Sequence, residues 1–145
     1  VLMGISDENE TYITFQMTYK EAINALEIAH IRKKECPVVW NEKIGYWKLL
    51  KDMSQQQQCK EFVSKKIDAL IQYDKENESD LIETLEALVN HLGARNITAT
   101  SLYLHRNTLM YRIKKIENLT GYDLSDPESI LELSLALRLN KFMNH

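Results

Sequence analysis

Only four glycines and two prolines punctuate this chain of 145 residues, and that scarcity limits the architecture more than any other feature. Sandwiches and barrels of short strands need turn signals about every 8–12 residues. Long stretches without breakers, carrying apolar residues three and four apart, favour helices. At 44% hydrophobic and 27% charged residues the composition is that of a globular chain. The expected fold class is therefore mainly α.

The first third departs from that rule. Residues 1–5 form a short apolar run suited to a buried strand, and Val38, Val39 and Trp40 suit a second. Between them, over residues 17–31, Ala22, Ile23, Leu26 and Ala29, with Ile28 beside them, follow helical spacing, and Pro37 ends the region. Trp47, Leu49 and Leu50 predict another helical turn or two over residues 44–53. Two strands and one long helix are too few to close a core. Residues 1–53 are thus expected to be a small α/β remnant of a larger domain, and the glutamine-rich stretch 54–58 marks the boundary.

From 54 to 145 the pattern is continuously helical. Phe62, Ile67, Leu70 and Ile71 predict one amphipathic helix. Leu81, Leu85, Leu88, Val89 and Leu92 predict the next, with Ser79 or Asp80 as N-cap and Gly93 as its stop. Asn96 is a cap for a short helix holding Ile97, Ala99 and Leu102. A turn near Tyr103 and Leu104 leads into a longer helix that runs to about Leu119 and stops at Gly121. Ser125-Asp126-Pro127-Glu128 combines a capping box with proline at the first helical position, opening an apolar helix over 130–142.

A short helix, a tight turn and a longer helix at about 96–120 have the dimensions of a helix-turn-helix. Such a motif needs a small residue in its first helix and an apolar wedge after it, which Ala99 and Leu102 supply. At 100° per residue, Leu109, Ile113, Ile116 and Leu119 share one stripe of the second helix. Asn107, Tyr111, Lys114 and Asn118 fall opposite, flanked by Met110 and Lys115, with Arg106 and Arg112 at the borders. Amides, a phenol and cations can bond base edges and phosphates in a major groove. Charge agrees: residues 93–121 carry a formal +4 within a net charge of −3, leaving −7 elsewhere. Arg106, Asn107 and Tyr111, near the start of the helix, are the candidates for base readout, and Lys114 and Lys115 suit phosphates. Arg95, Thr98 or Thr100 would meet a phosphate from the first helix. The same spacing is compatible with plainer roles: Tyr111 packing on a neighbour, Asn107 or Thr108 as caps, Arg112 paired with Glu117 or another acid. His105 falls near the buried side, as a structural residue.

Other chemistry finds little support. Cys36 and Cys59 lack paired zinc spacing and read as free thiols, and His30, His91, His105 and His145 are scattered, so no metal site is expected. There is no Ser/His/Asp order, no phosphate-cradling glycine loop and no catalytic acidic pair; Asp123 and Asp126 read as turn and cap residues. No enzyme and no cofactor are expected. No apolar run approaches the roughly 20 residues that span a bilayer, and no secretory leader stands at the start, so a cytoplasmic protein without a membrane partner is expected.

The run His105-Arg106-Asn107-Thr108-Leu109-Met110-Tyr111-Arg112-Ile113 closely resembles the signature of the C-terminal domain of the purine-catabolism and sugar-diacid regulators, the PucR/CdaR family, in which a Fis-like helix-turn-helix carries His-x-Asn-Thr-x-x-Tyr-Arg. The likeness covers residues 60–143, including Asp80-Leu81-Ile82-Glu83-Thr84-Leu85 upstream and Leu119-Thr120-Gly121-x-Asp123-Leu124 downstream. More weakly, Gly4-Ile5-Ser6, Tyr19-x-Glu21-Ala22-x-x-Ala25-Leu26 and Ile44-Gly45-x-x-x-Leu49-Leu50 resemble the end of the degenerate GGDEF-like domain that often precedes it. The resemblance implies a sequence-specific transcriptional regulator contacting double-stranded DNA through Arg106, Asn107, Thr108, Tyr111, Arg112, Lys114, Lys115 and Thr98. It also implies a small-molecule effector sensed by an N-terminal region outside this sequence. Two departures stand out: Gly93-Ala94-Arg95-Asn96 carries a basic insertion before the first motif helix, and Met110 stands where the family often has a cation. Reading two half-sites implies a homodimer, helped by the leucine-rich last helix. A helical interaction or dimerisation module without DNA binding is the competing reading.

Overall fold

The computed structural model describes residues 1–8, 15–32 and 38–143. Cys36, Pro37 and His145, singled out above, lie outside them. The chain divides into two compact units, one spanning Val1–Gln55 and the second beginning at Gln56.

In the first unit, strand β1 (Met3–Ile5) and strand β2 (Val38–Trp40) pair in parallel, Met3 opposite Val38 and Ile5 opposite Trp40. Helix α1 (Phe15–Ile31) packs on this pair. Gly4 permits the close approach: a Cβ there would collide with the backbone of Ala22 and Leu26. The buried stripe of α1 is Ala25, Ile28 and Ala29, rotated from the expected one; Ile23 and Leu26 stay 43% and 40% exposed. Lys51 of the following helical segment reaches back to α1, its ammonium donating to Asn24 Oδ1 at 2.8 Å and pairing with Glu27. A single 3₁₀ turn (Asn41–Lys43) leads to helix α2 (Tyr46–Ser54), which buries Trp47 and Leu50.

The second unit is helical throughout its described residues: α3 (Gln57–Asn77), α4 (Leu81–Asn90), α5 (Arg95–Ser101), α6 (Arg106–Thr120) and α7 (Pro127–Met143). Its core joins Val63, Ile67 and Leu70 of α3 to Leu81, Leu85 and Leu88 of α4, Leu109, Ile113 and Ile116 of α6, and Leu133, Leu137 and Leu139 of α7. Burying each such aliphatic side chain is worth roughly 1.5–3 kcal/mol. Val63 takes the place expected for Phe62, which like Ile71 is only half-buried. On α7 the leucines divide, with Leu131 left 61% exposed and Leu135 half-buried.

Helix ends explain the joints. Asp80 occupies the N-cap position of α4, yet its side chain does not cap. Instead the Asp74 carboxylate, from the last turns of α3, accepts the Leu81 N–H at 2.9 Å and the Ile82 N–H at 2.8 Å. Those two donors would otherwise be orphans. Gly93 and Gly121, at φ of +80° and +75°, turn the chain after α4 and α6. For α7 the cap is Asp126, whose Oδ2 accepts the Ser129 N–H at 2.9 Å, with Pro127 first in the helix. The capping box expected from Ser125 does not form, because the Ser125 hydroxyl donates to Asp123 Oδ1. These bonds to Ser125 and to Ser129 hold the Asp123 and Asp126 carboxyls below the usual carboxylate range.

A polar staple ties α3 to α7. The Lys66 ammonium donates to Glu132 and to the Tyr122 hydroxyl and lies over the Phe62 and Tyr122 rings. Burial alone would lower the Lys66 pKa, but these partners outweigh it and raise it, while the Lys66 bond lowers that of Glu132.

Candidate nucleic-acid interface

Helix α5, the turn through Leu102–His105 and helix α6 form the helix-turn-helix. The turn closes when the Leu104 N–H donates to the Ala99 carbonyl at 2.9 Å. Tyr103, at φ +54° and 98% exposed, makes the reversal. His105 then caps α6: its Nδ1 accepts the Asn107 N–H at 3.2 Å. His105 is exposed rather than near the buried side, and the cap falls to it rather than to Asn107 or Thr108.

Leu109, Ile113 and Ile116 are each no more than 1% exposed, so α6 is set with one aliphatic stripe inward. Asn107, Tyr111, Lys114 and Asn118, which share about 60° of arc on the far side, are all exposed, Tyr111 to 68%. Arg106 and Thr108 are exposed at the head of the helix. Among the described residues, none of Arg106, Asn107, Thr108, Tyr111 and Lys114 commits its side chain to an intramolecular hydrogen bond or ion pair. The outward row is therefore uncovered within its own unit, with two amides, a phenol and a cation presented together.

Three other expected contacts are placed differently. Thr98 is fully buried, and its hydroxyl donates to the Ala94 carbonyl at 2.9 Å, which removes it from the outward face. Thr98 is the buried residue of α5, while Ala99, the small residue expected at the crossing, is half-buried. Arg112 turns towards α4, where Nη2 lies 3.1 Å from Asp80 Oδ2 and Nη1 donates to Thr84 Oγ1 at 3.0 Å. Lys115 is half-buried, its ammonium 4.5 Å from the centre of the Tyr73 ring on α3. Asn96 sits inside α5 rather than at its cap, and Arg95 reaches Met110 Sδ at 3.9 Å. Sequence reasoning missed the Asp74 cap; it left Arg112 open to pairing with Glu117 or another acid, and the acid that meets it is Asp80, with Thr84 beside it. The signal available for the cap was an acid just before a run of polar residues, which does not say which backbone it will reach.

Among the described residues no group of three or more His, Cys, Asp and Glu could hold a metal ion, and no helix is long and apolar enough to cross a membrane.

The PucR C-terminal helix-turn-helix domain family matches residues 81–139, from the start of α4 into α7. The chain is 30% identical over 142 residues to the proline-responsive transcriptional activator PutR of Bacillus subtilis (strain 168), covering 97% of this chain and 34% of that protein. It is 30% identical over 144 residues to the purine catabolism regulatory protein of the same strain, covering 99% and 27%. The carbohydrate diacid regulator of Escherichia coli (strain K12) is 39% identical over 66 residues, 46% of this chain and 17% of that one. The chain thus spans about a third or less of the length of these curated relatives, whose names describe an activator and two regulators. The matched span takes in α4, α5, α6 and most of α7, so the helix-turn-helix and its uncovered polar row lie within a stretch similar to the PucR C-terminal helix-turn-helix domain.

Proposed function

We propose that the second unit binds double-stranded DNA by laying α6 in the major groove, with Arg106, Asn107, Thr108 and Tyr111 towards base edges and Lys114 against a phosphate. The observation that carries this reading is the uncommitted outward row of α6, held out by a stripe of aliphatic residues that are almost wholly buried. A helix so presented fits a groove about 12 Å wide. Lys115 contributes to the field at the edge of this face while resting on Tyr73.

Selection of duplexes from a random library by the chain, followed by anisotropy titrations across salt, tests the assignment. Lys114→Ala is expected to weaken binding to preferred and scrambled duplexes alike, and to reduce the salt slope by about one unit. An unchanged slope removes Lys114 from the contact set.

The reading extends to a homodimer, since two half-sites call for two-fold pairing. Leu92, 87% exposed, and Leu131, 61% exposed, border an apolar groove of about 570 Å³ that also takes in Val89 and Ile130. Exposed apolar surface of this kind is what a subunit contact covers. Light scattering coupled to size exclusion is expected to give twice the chain mass at micromolar concentration; a strict monomer there counts against pairing. The first unit is read as the end of a degenerate GGDEF-like domain, on the residues that resemble one. PutR is proline-responsive by name. By analogy, the protein carrying this chain is proposed to respond to a small-molecule effector through sequence outside these 145 residues, and to work in the cytoplasm.

A further inference from the structure

Arg112 stands in the signature run between Tyr111 and Ile113, one turn beyond Thr108, where a basic residue on a groove-binding helix would ordinarily be assigned to a phosphate. Its surroundings say otherwise. The side chain is 23% exposed and its two terminal nitrogens are both engaged, one by Asp80 Oδ2 and one by Thr84 Oγ1. Thr84 is fully buried, and its hydroxyl already donates to the Asp80 carbonyl at 2.7 Å, so its oxygen is left to accept from Arg112. Asp80 is released for this bond because Asp74 performs the capping that an N-cap aspartate would otherwise do. The planar guanidinium thus meets two acceptors fixed on the first turn of α4.

We propose that Arg112 is a positioning residue for the DNA-reading face, setting the rotation of α6 about its own axis through Asp80 and Thr84, and does not itself contact DNA. The inference rests on the DNA-binding reading above. An aliphatic stripe fixes which side of a helix faces inward but is non-directional, so it tolerates a roll of several degrees. A two-pronged hydrogen bond is directional and does not. Arg112 lies on the flank of α6 towards α4, while on another flank Glu117 Oε1 accepts the Leu124 N–H at 3.0 Å. Held at two flanks, the helix has one setting, and Asn107 and Tyr111 are aimed with it.

The two roles predict opposite signs for one substitution. Asp80 is largely exposed on its acidic side chain, and Asp80→Asn removes a negative charge that would repel DNA. If Arg112 contacted a phosphate, freeing it from Asp80 would strengthen binding. If Arg112 positions α6, Asp80→Asn weakens binding to the preferred duplex. The experiment uses the full chain, a duplex it selects from a random library, and a scrambled duplex of equal length. Asp80→Asn and Arg112→Lys are each expected to lower affinity for the selected duplex by about tenfold, and the double variant by no more than the worse single. A further variant, Arg112→Gln, drops the cation, and its salt slope is expected to stay that of the unaltered chain, which a lost phosphate contact would not allow. Arg112→Lys keeps the charge and loses the fork, so its helical circular dichroism and melting midpoint separate misplacement from unfolding. Tighter binding by Asp80→Asn, a slope reduced by about one in Arg112→Gln, or additive losses in the double variant would each overturn the proposal. So would unchanged affinity in both single variants. A chain that selects no duplex at all overturns the DNA-binding reading itself. A chain that selects one and loses slope with Lys114→Ala, yet binds better with Asp80→Asn, overturns only the role of Arg112.

Discussion

Ile113→Ala is expected to cost the helical unit about 2–5 kcal/mol of unfolding free energy. Ile113 is 1% exposed, in the inward stripe between Leu109 and Ile116, and α6 packs there against α3 and α4, whose Ile67, Leu70, Leu85 and Leu88 are fully buried. Truncation removes three carbon atoms from a site that tightly packed helices cannot collapse to fill, so a cavity term adds to the lost transfer energy. Domains of this kind hold only about 5–15 kcal/mol in reserve, so a loss of that size is a large share. Urea denaturation followed by far-ultraviolet circular dichroism reads it as a lowered midpoint at unchanged slope. A midpoint equal to that of the unaltered chain would show that α6 does not sit on the core as described, and the outward row would lose its foundation.

Asn107→Ala carries the second large effect, on recognition rather than on folding. A loss of about 1–3 kcal/mol is expected on a preferred duplex, if the carboxamide pairs with one base edge through both donor and acceptor. The backbone N–H of Asn107 belongs to the His105 cap, and alanine retains it, so the start of α6 survives the change. The side chain is exposed and makes no bond that the substitution would break among the described residues. Stability should therefore move little while discrimination falls. Competition between selected and scrambled duplexes separates the two possibilities: equal losses on both would make Asn107 a backbone contact, and no loss on either would remove it from the face.

What could be read from the order of residues follows from the range of each interaction. The inward stripe of α6 depends on a period of 3.6 residues and on the identities of Leu109, Ile113 and Ile116, so it was visible, as was the stop at Gly121. Pro127 and Asp126 announced the start of α7 for the same local reason. The fates of Arg112 and Asp80 were not visible, because they are 32 positions apart and meet only once α4 and α6 pack. Asp74 supplies its cap to α4 from the preceding helix, and no pattern within residues 79–84 reveals it. Thr98 misled differently: a hydroxyl on a short helix looks available for phosphate, but here its own helix takes the proton and the neighbouring helices take the surface. On α1 the apolar residues were in place, yet which of them are covered depended on where two very short strands lie.

The reach of Asp74 also has a consequence for where this protein can be cut. The span shared with the PucR C-terminal family begins at residue 81, one helix after the carboxylate that closes the first turn of α4 and the apolar face of Val63, Ile67 and Leu70 that roofs the bundle. A fragment trimmed to that span would start with a frayed end and an open core. The smallest piece able to hold its shape has to begin before α3, so the cooperative unit is larger than the recognisable one.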